Sequence, residues 1–220
     1  MAEFQRVLGG AQSFAHRLLT TLYEQHPWPS PDVLGTLPMD HLCLRVSTIH
    51  EYSAWKAFFS TTINASLLTE SLIAGRPIAT YKLQEKDAVV IPDPHWKGEQ
   101  RFGETPGTRK VTVIELPSPK EGSDYETGWE HAEFALRGFD ADKALEMSPE
   151  VAAKHAMDCL NAFSVNDTNK EVVYGKKSFN KGGFNIDLRW DPPAKDEGWS
   201  VKFHWLPLEQ VIAHEIKWEI

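Results

Sequence analysis

Cysteine is scarce in this chain: 220 residues hold only Cys43 and Cys159. So small a number excludes a disulfide-stapled scaffold. It fits a reducing, cytoplasmic setting, with both thiols acting as small buried residues. Long apolar runs are also missing, and no stretch approaches the roughly 20 residues that span a bilayer. The opening Met1-Ala2-Glu3-Phe4-Gln5-Arg6 lacks the basic-then-apolar order of a secretory leader. Lysine and arginine form no cluster and the net charge is −8, so the footprint expected of a nucleic-acid or anionic-membrane partner is absent. The remaining composition, 41% hydrophobic and 25% charged, is that of a globular protein. The length suits one large domain or two small ones sharing a core.

An internal repeat is the most informative feature present. Asp40-His41-Leu42-Cys43-Leu44-Arg45-Val46 and Glu130-His131-Ala132-Glu133-Phe134-Ala135-Leu136 each open with an acid and a histidine and then alternate apolar with other residues. Each is followed by a second strand-like run, Val111 to Leu116 and Val201 to Trp205. Glu115 lies 74 residues after His41, and His204 lies 73 after His131. Each half therefore offers two potential metal ligands at matched positions, the mark of a tandem duplication.

The rest of the chain fits that frame. Residues 3–25 carry Phe4, Val7, Leu8, Phe14, Leu18, Leu19 and Leu22 at helical spacing, interrupted by Gly9-Gly10 and ended by Pro27, Pro29 and Pro31. This predicts an N-terminal helical extension over 1–38, ahead of a domain over 39–220. Module one, 39–119, continues with Thr48-Ile49-His50-Glu51, a capping-box pattern, and a helix face of Tyr52, Trp55, Phe58 and Phe59. Strands follow at Leu67–Glu70, Ile73–Leu83 and Val111–Leu116, with Ala74-Gly75-Arg76-Pro77 as a turn or bulge and 84–110 as an inserted loop rich in proline and glycine.

Module two, 128–206, repeats the order. Asp140 and Ser148-Pro149 are helix-start signals, and Val151, His155, Cys159 and Phe163 line one helical face. Strands are expected at 172–179, 185–190 and 201–205, with turns at Gly182-Gly183 and Asp191-Pro192-Pro193. Pro207 opens a C-terminal helix over 207–217, with Leu208, Val211, Ile212 and Ile216 on one side. The predicted fold is α+β: two tandem βαβββ modules forming a cupped eight-stranded mixed sheet, with the N-terminal extension and the C-terminal helix.

Strand alternation then sorts the side chains. Leu42, Leu44 and Val46 share one face of the first strand, while His41, Cys43 and Arg45 share the other. On the matching strand Ala132, Phe134 and Leu136 face the helices, and His131, Glu133 and Ala135 face the cup. Val113 and Glu115 share a face, as do Lys202 and His204. His41, Glu115, His131 and His204 can all point into one cavity without loss of an apolar face. Three imidazoles and a carboxylate suit one divalent transition metal, Zn, Fe, Ni, Mn or Co, rather than Mg or Ca. Glu133 is the candidate general base, or else a carboxylate that orients an imidazole. Arg45 and Arg76 are candidate clamps for a substrate carboxylate, with bridging of turn carbonyls the alternative for Arg76. Glu130 is expected to face away from the cup, and Lys202 to pair with Glu115 when no metal is present. His155 reads as semi-buried, and Trp96 as an aromatic on a mobile loop that could cover a pocket.

The chain resembles the YecM family, within the vicinal oxygen chelate superfamily of glyoxalases, bleomycin-resistance proteins and extradiol dioxygenases. The stretches that carry the resemblance are Asp40 to Arg45, Leu67 to Ile78, Val113 to Pro117, Gly128-Trp129-Glu130-His131 and Val201 to His204. Ligand positions of the superfamily, on the first and last strands of each module, imply His41, Glu115, His131 and His204. Glutamate is frequent in the superfamily where this chain has His204, and the loop at 87–109 is longer than the YecM-like pattern requires, as a lid or dimer contact would be.

The resemblance implies a metal-dependent enzyme in which the metal chelates two oxygens of a small substrate, with isomerase, lyase and dioxygenase chemistries open. A non-catalytic small-molecule-binding protein on the same scaffold is the alternative. The expected partner is a small molecule, with neither nucleic acid nor membrane. A homodimer is compatible with the sheet type but is not readable from the residues.

Overall fold

A computed structural model describes residues 2–25, 30–73, 75–98, 105–122, 124–136, 146–165, 175–176, 187–190 and 198–218. The signals at His26-Pro27-Trp28-Pro29, Asp140, Gly182-Gly183 and Asp191-Pro192-Pro193 fall outside those residues, as does most of the 172–179 strand. Two compact units divide the chain, residues 1–132 and 133–220. Among the described residues no helix is long and apolar enough to cross a membrane.

The first unit opens with helix α1, Ala2–Gln25, which runs without a break through Gly9-Gly10. Each glycine costs an interior helix about 1 kcal/mol relative to alanine. The face of Ala11, Phe14, Ala15, Leu18, Leu19 and Leu22 is buried, and that burial outweighs the cost. A short helix, α2 (Pro31–Leu34), leads into strand β1, Met39–Arg45. Helix α3, Ile49–Thr61, starts with the predicted capping box: the Glu51 amide donates to Thr48 Oγ1 at 3.1 Å and the Thr48 amide donates to the Glu51 carboxylate at 3.2 Å. Its buried face is the predicted one, Tyr52, Trp55, Phe58 and Phe59, and Phe59 stacks on Tyr81 with ring centroids 5.0 Å apart.

Strands β2 (Ser66–Ile73) and β3 (Arg76–Lys82) form an antiparallel hairpin. Gly75, at a φ of 81°, makes the turn, a conformation that penalises any residue with a Cβ. Arg76 and Pro77 are therefore strand residues rather than turn residues, and Ile73 ends β2 instead of opening β3.

The predicted strand over 111–116 is in fact two. Strand β5, Thr108–Val111, pairs with β4, Val89–Pro92, in a separate two-stranded sheet, whereas β6, Val113–Pro117, joins the main sheet. Thr112 marks the change of partner. The described parts of the segment 84–110, residues 84–98 and 105–110, thus form a structured insertion rather than a plain loop. Its Arg109 and Asp93, both buried, pair at 2.5 Å; Arg109 also donates to the carbonyls of Leu34 (2.9 Å) and Leu37, and Tyr23 donates to Asp93 at 2.9 Å. Burial pushes the Tyr23 phenol well above its usual range even with Arg109 beside it. Trp96 lies 2% exposed under the Arg109 guanidinium, 4.4 Å from the ring centroid. That overturns its reading as a mobile pocket cover. At Gly35 an added Cβ would come within 2.2 Å of the His95 carbonyl oxygen, so only glycine lets α2 abut the insertion.

The second unit holds the end of strand β7 (Gly128–Ala135), helix α4 (Pro149–Val165), strands β8 (Gly175–Lys176), β9 (Asp187–Trp190) and β10 (Ser200–His204), and helix α5 (Leu208–Trp218). Ala152, Ala156 and Leu160 form the buried face of α4, while Val151 and His155 are exposed. The inward face is therefore one position on from the predicted one, and His155 is not semi-buried. On α5, Val211 and Ile212 are buried as expected, but Ile216 is 65% exposed. Phe134 stacks on Phe203 at 5.6 Å, joining β7 to β10 through the core.

The strand order is β2-β3-β6-β1-β7-β10-β9-β8, a mixed eight-stranded sheet among the described residues. Strand β7 runs through the boundary between the units. Each half gives one strand, one helix and three strands, so the order reads the same from either end under the repeat: β1 corresponds to β7, β6 to β10, β3 to β9 and β2 to β8. The α+β fold with two βαβββ modules is the one expected.

Candidate metal centre

Strands β1 and β6 run parallel, with His41 opposite Val113 and Cys43 opposite Glu115. Residues directly opposite share a face, as do residues two apart, so this register puts His41, Cys43 and Glu115 on one face. Strand β7 adds His131, whose Nε2 lies 3.3 Å from Glu115 Oε2, and the His41 and His131 rings meet edge to face at 6.3 Å. His41 and His131 are buried, and Glu115 is 15% exposed. One donor atom from each of His41, Glu115 and His131 falls within 4.8 Å of the others.

These residues fit a divalent transition metal. Ligand atoms at roughly 2.1 Å from a tetrahedral ion sit about 3.4 Å from one another, close to the 3.3 Å between His131 Nε2 and Glu115 Oε2. Two imidazoles and a carboxylate are the donors that zinc, iron, nickel, manganese or cobalt accept. The imidazoles also have carboxylates beside them that can orient the rings. Asp40 Oδ2 is 2.9 Å from His41 Nδ1, a placement that favours a proton on Nδ1 and, in the neutral ring, a free lone pair on Nε2. Glu130 Oε2 stands 3.8 Å from His131 Nδ1, at the matching place in the repeat. The role of these acids was missed in the sequence, although an acid before each repeated histidine was its signal.

Other predicted residues lie as follows. Arg45 Nη1 is 3.4 Å from Glu130 Oε1, and its guanidinium lies 4.2 Å above the Tyr125 ring. Arg76 donates to the Ser118 carbonyl at 2.8 Å. Glu130 does not turn away from the ligand face, since its carboxylate reaches Cys43 Sγ at 3.9 Å as well as Arg45. Alternation fixes the direction of Cβ, not where a flexible side chain ends. In the second unit Glu133 is buried, with Lys202 Nζ 2.5 Å from Oε1 and His204 Nε2 against Oε2. Lys202 thus pairs with Glu133 rather than with Glu115, because residues 133 and 202 lie on neighbouring strands.

The chain belongs to the YecM family, which it matches over residues 13–215. It is 27% identical to Protein YecM of Escherichia coli (strain K12) over 179 residues, which cover 81% of this chain and 79% of that protein. It also shares its fold with the solved structural-genomics protein EC4020, at 24% identity and a TM-score of 0.56, with 97% of this chain and 93% of the other covered. A Streptomyces coelicolor methylmalonyl-CoA epimerase variant in complex with 2-nitronate-propionyl-CoA aligns at 15% identity and a TM-score of 0.40 over 77% of this chain and 97% of that one, a likeness that bears on neither fold nor function.

Proposed function

We propose that this protein is a metal-dependent enzyme of vicinal oxygen chelate type, acting on a small substrate that presents two adjacent oxygens. The observation that carries the reading is the set of His41, Glu115 and His131, two buried imidazoles and a partly buried carboxylate, with its donor atoms within 4.8 Å of one another. When bound, a zinc, iron, nickel, manganese or cobalt ion supplies Lewis-acid charge that makes a proton on the substrate easier to remove. Asp40 keeps His41 in the tautomer that can ligate. Glu133, two residues beyond His131 on the same strand, takes the proton, with Lys202 and His204 fixing its carboxylate. Arg45 and Arg76 each use one N–H in the contacts above and keep further donors for a substrate carboxylate. Isomerase, lyase and dioxygenase reactions all start from such a set.

Elemental analysis of untagged protein beside His131→Ala and Glu115→Gln tests this. About one equivalent of a transition metal in the parent protein, lost in both variants, supports it. No metal after anaerobic loading with all five ions overturns it and leaves a small-molecule-binding protein as the function.

A further inference from the structure

His131 stands between two donor sets, one at each ring nitrogen. Its Nε2 faces Glu115 at 3.3 Å, within the set described above. Its Nδ1 faces Glu130 Oε2 at 3.8 Å, and the same oxygen lies 3.9 Å from Cys43 Sγ. Donor atoms of Cys43, Glu130 and His131 all fall within 4.8 Å of one another. Around a tetrahedral zinc, a sulfur and an oxygen ligand are about 3.6 Å apart and a nitrogen and an oxygen about 3.4 Å. The two contacts to Glu130 Oε2 stand within a few tenths of an ångström of those separations, and the remaining pair lies within 4.8 Å. Arg45 already favours that arrangement, since it takes Glu130 Oε1 at 3.4 Å and leaves Oε2 directed at the thiol and the imidazole. Cys43 is fully buried, which shields a thiolate ligand from solvent.

The geometry points to a second metal position, formed by Cys43, Glu130 and His131 Nδ1, that takes a thiophilic divalent cation and competes with the first for one imidazole. A neutral imidazole has a single lone pair. A metal on Nε2 leaves the Nδ1 proton toward Glu130; a metal on Nδ1 leaves the Nε2 proton toward Glu115. Each tautomer has a carboxylate near its N–H, so the ring serves either side without becoming an imidazolate. At the second position the Cys43 S–H bond breaks, its proton passes to solvent and a metal–sulfur bond forms. No electron transfer is involved. The nature of the ion selects the position: thiolate favours soft ions, and His41 with Glu115 favours harder ones.

The test uses the apoprotein, with Cd²⁺ as the soft probe and Mn²⁺ as the hard one. Titration with Cd²⁺ is expected to produce thiolate-to-cadmium charge-transfer absorption in the ultraviolet. That band should disappear in Cys43→Ser, weaken at least tenfold in apparent affinity in Glu130→Gln, and persist in Glu115→Gln and Cys159→Ser. Mn²⁺ binding, followed by electron paramagnetic resonance, should show the reverse dependence on Cys43 and Glu115. Cadmium that binds without charge-transfer absorption, or a band that survives Cys43→Ser, overturns the second position. A cadmium band with no Mn²⁺ binding supports it while removing support for the first set, so the two readings fail separately.

Discussion

Asp40 Oδ2 sits 2.9 Å from His41 Nδ1, and both side chains are nearly enclosed. A carboxylate so placed fixes the imidazole's tautomer and raises its basicity toward a metal on the other nitrogen. Asp40→Asn is therefore expected to weaken metal affinity by about 10- to 100-fold while leaving the circular-dichroism spectrum unchanged. Competition against a chromophoric chelator measures the loss. An affinity equal to that of the parent protein would show that His41 is oriented by other contacts.

Removal of metal should also be felt as lost stability. An ion that binds the folded chain and not the unfolded one stabilises it by about 4 kcal/mol at a thousandfold excess over Kd. Chelation is expected to lower Tm by several degrees, and re-addition of metal to restore it. With Mn²⁺ as the ion, the chelator should leave the Tm of Glu115→Gln unchanged.

The Arg109–Asp93 pair makes a different demand. With both side chains almost wholly enclosed, Asp93→Ala leaves a buried guanidinium without its counter-charge, at a cost of roughly 3–5 kcal/mol. Replacement of both residues by apolar ones should cost less than the single change. Urea denaturation of the two variants orders them, and equal losses would mean that the charge pairing itself matters little.

Glu51 links the capping box to pH. Burial alone would raise its carboxyl, but hydrogen bonds from the Ser47 and Thr127 hydroxyls and the Ser47 and Thr48 amides outweigh it and hold the group below the usual carboxylate range. A lowered folded-state value gives stability that is present above the unfolded value and is lost as pH falls through the folded one. Glu51→Gln should therefore flatten the fall of stability on the acid side and leave its neutral-pH slope alone. Thr48→Ala should cost about 1 kcal/mol at neutral pH. Denaturant midpoints from pH 7 down to the acid limit check both.

Much of the architecture was legible because the repeat left matched marks: an acid and a histidine at the head of β1 and of β7, and an apolar alternation after each. Partner choice was not. Val111 and Val113 read as one strand, yet Val111 pairs with Val89 and Val113 with Lys82 and His41. Hydrophobic alternation says which face is buried, not which neighbour a strand takes. On α4 the face turned on Ala152 and Ala156, whose small side chains suit close packing and carry little hydrophobic signal. Trp96 was misread for a related reason: it packs under Arg109, whose own partners, Tyr23, Leu34 and Leu37, are distant in sequence and leave no local pattern.

That last network has a consequence for how the chain can be cut. Asp93 and Arg109 are only 16 positions apart and can meet early, but the carbonyls that complete the guanidinium's shell come from 72 and 75 positions away. A chain begun after residue 38 would lose Tyr23, Leu34 and Leu37 together, and with them three of the groups that Arg109 donates to. The N-terminal segment thus completes the polar shell of an insertion that follows it, and a cut at residue 38 would run straight through that network.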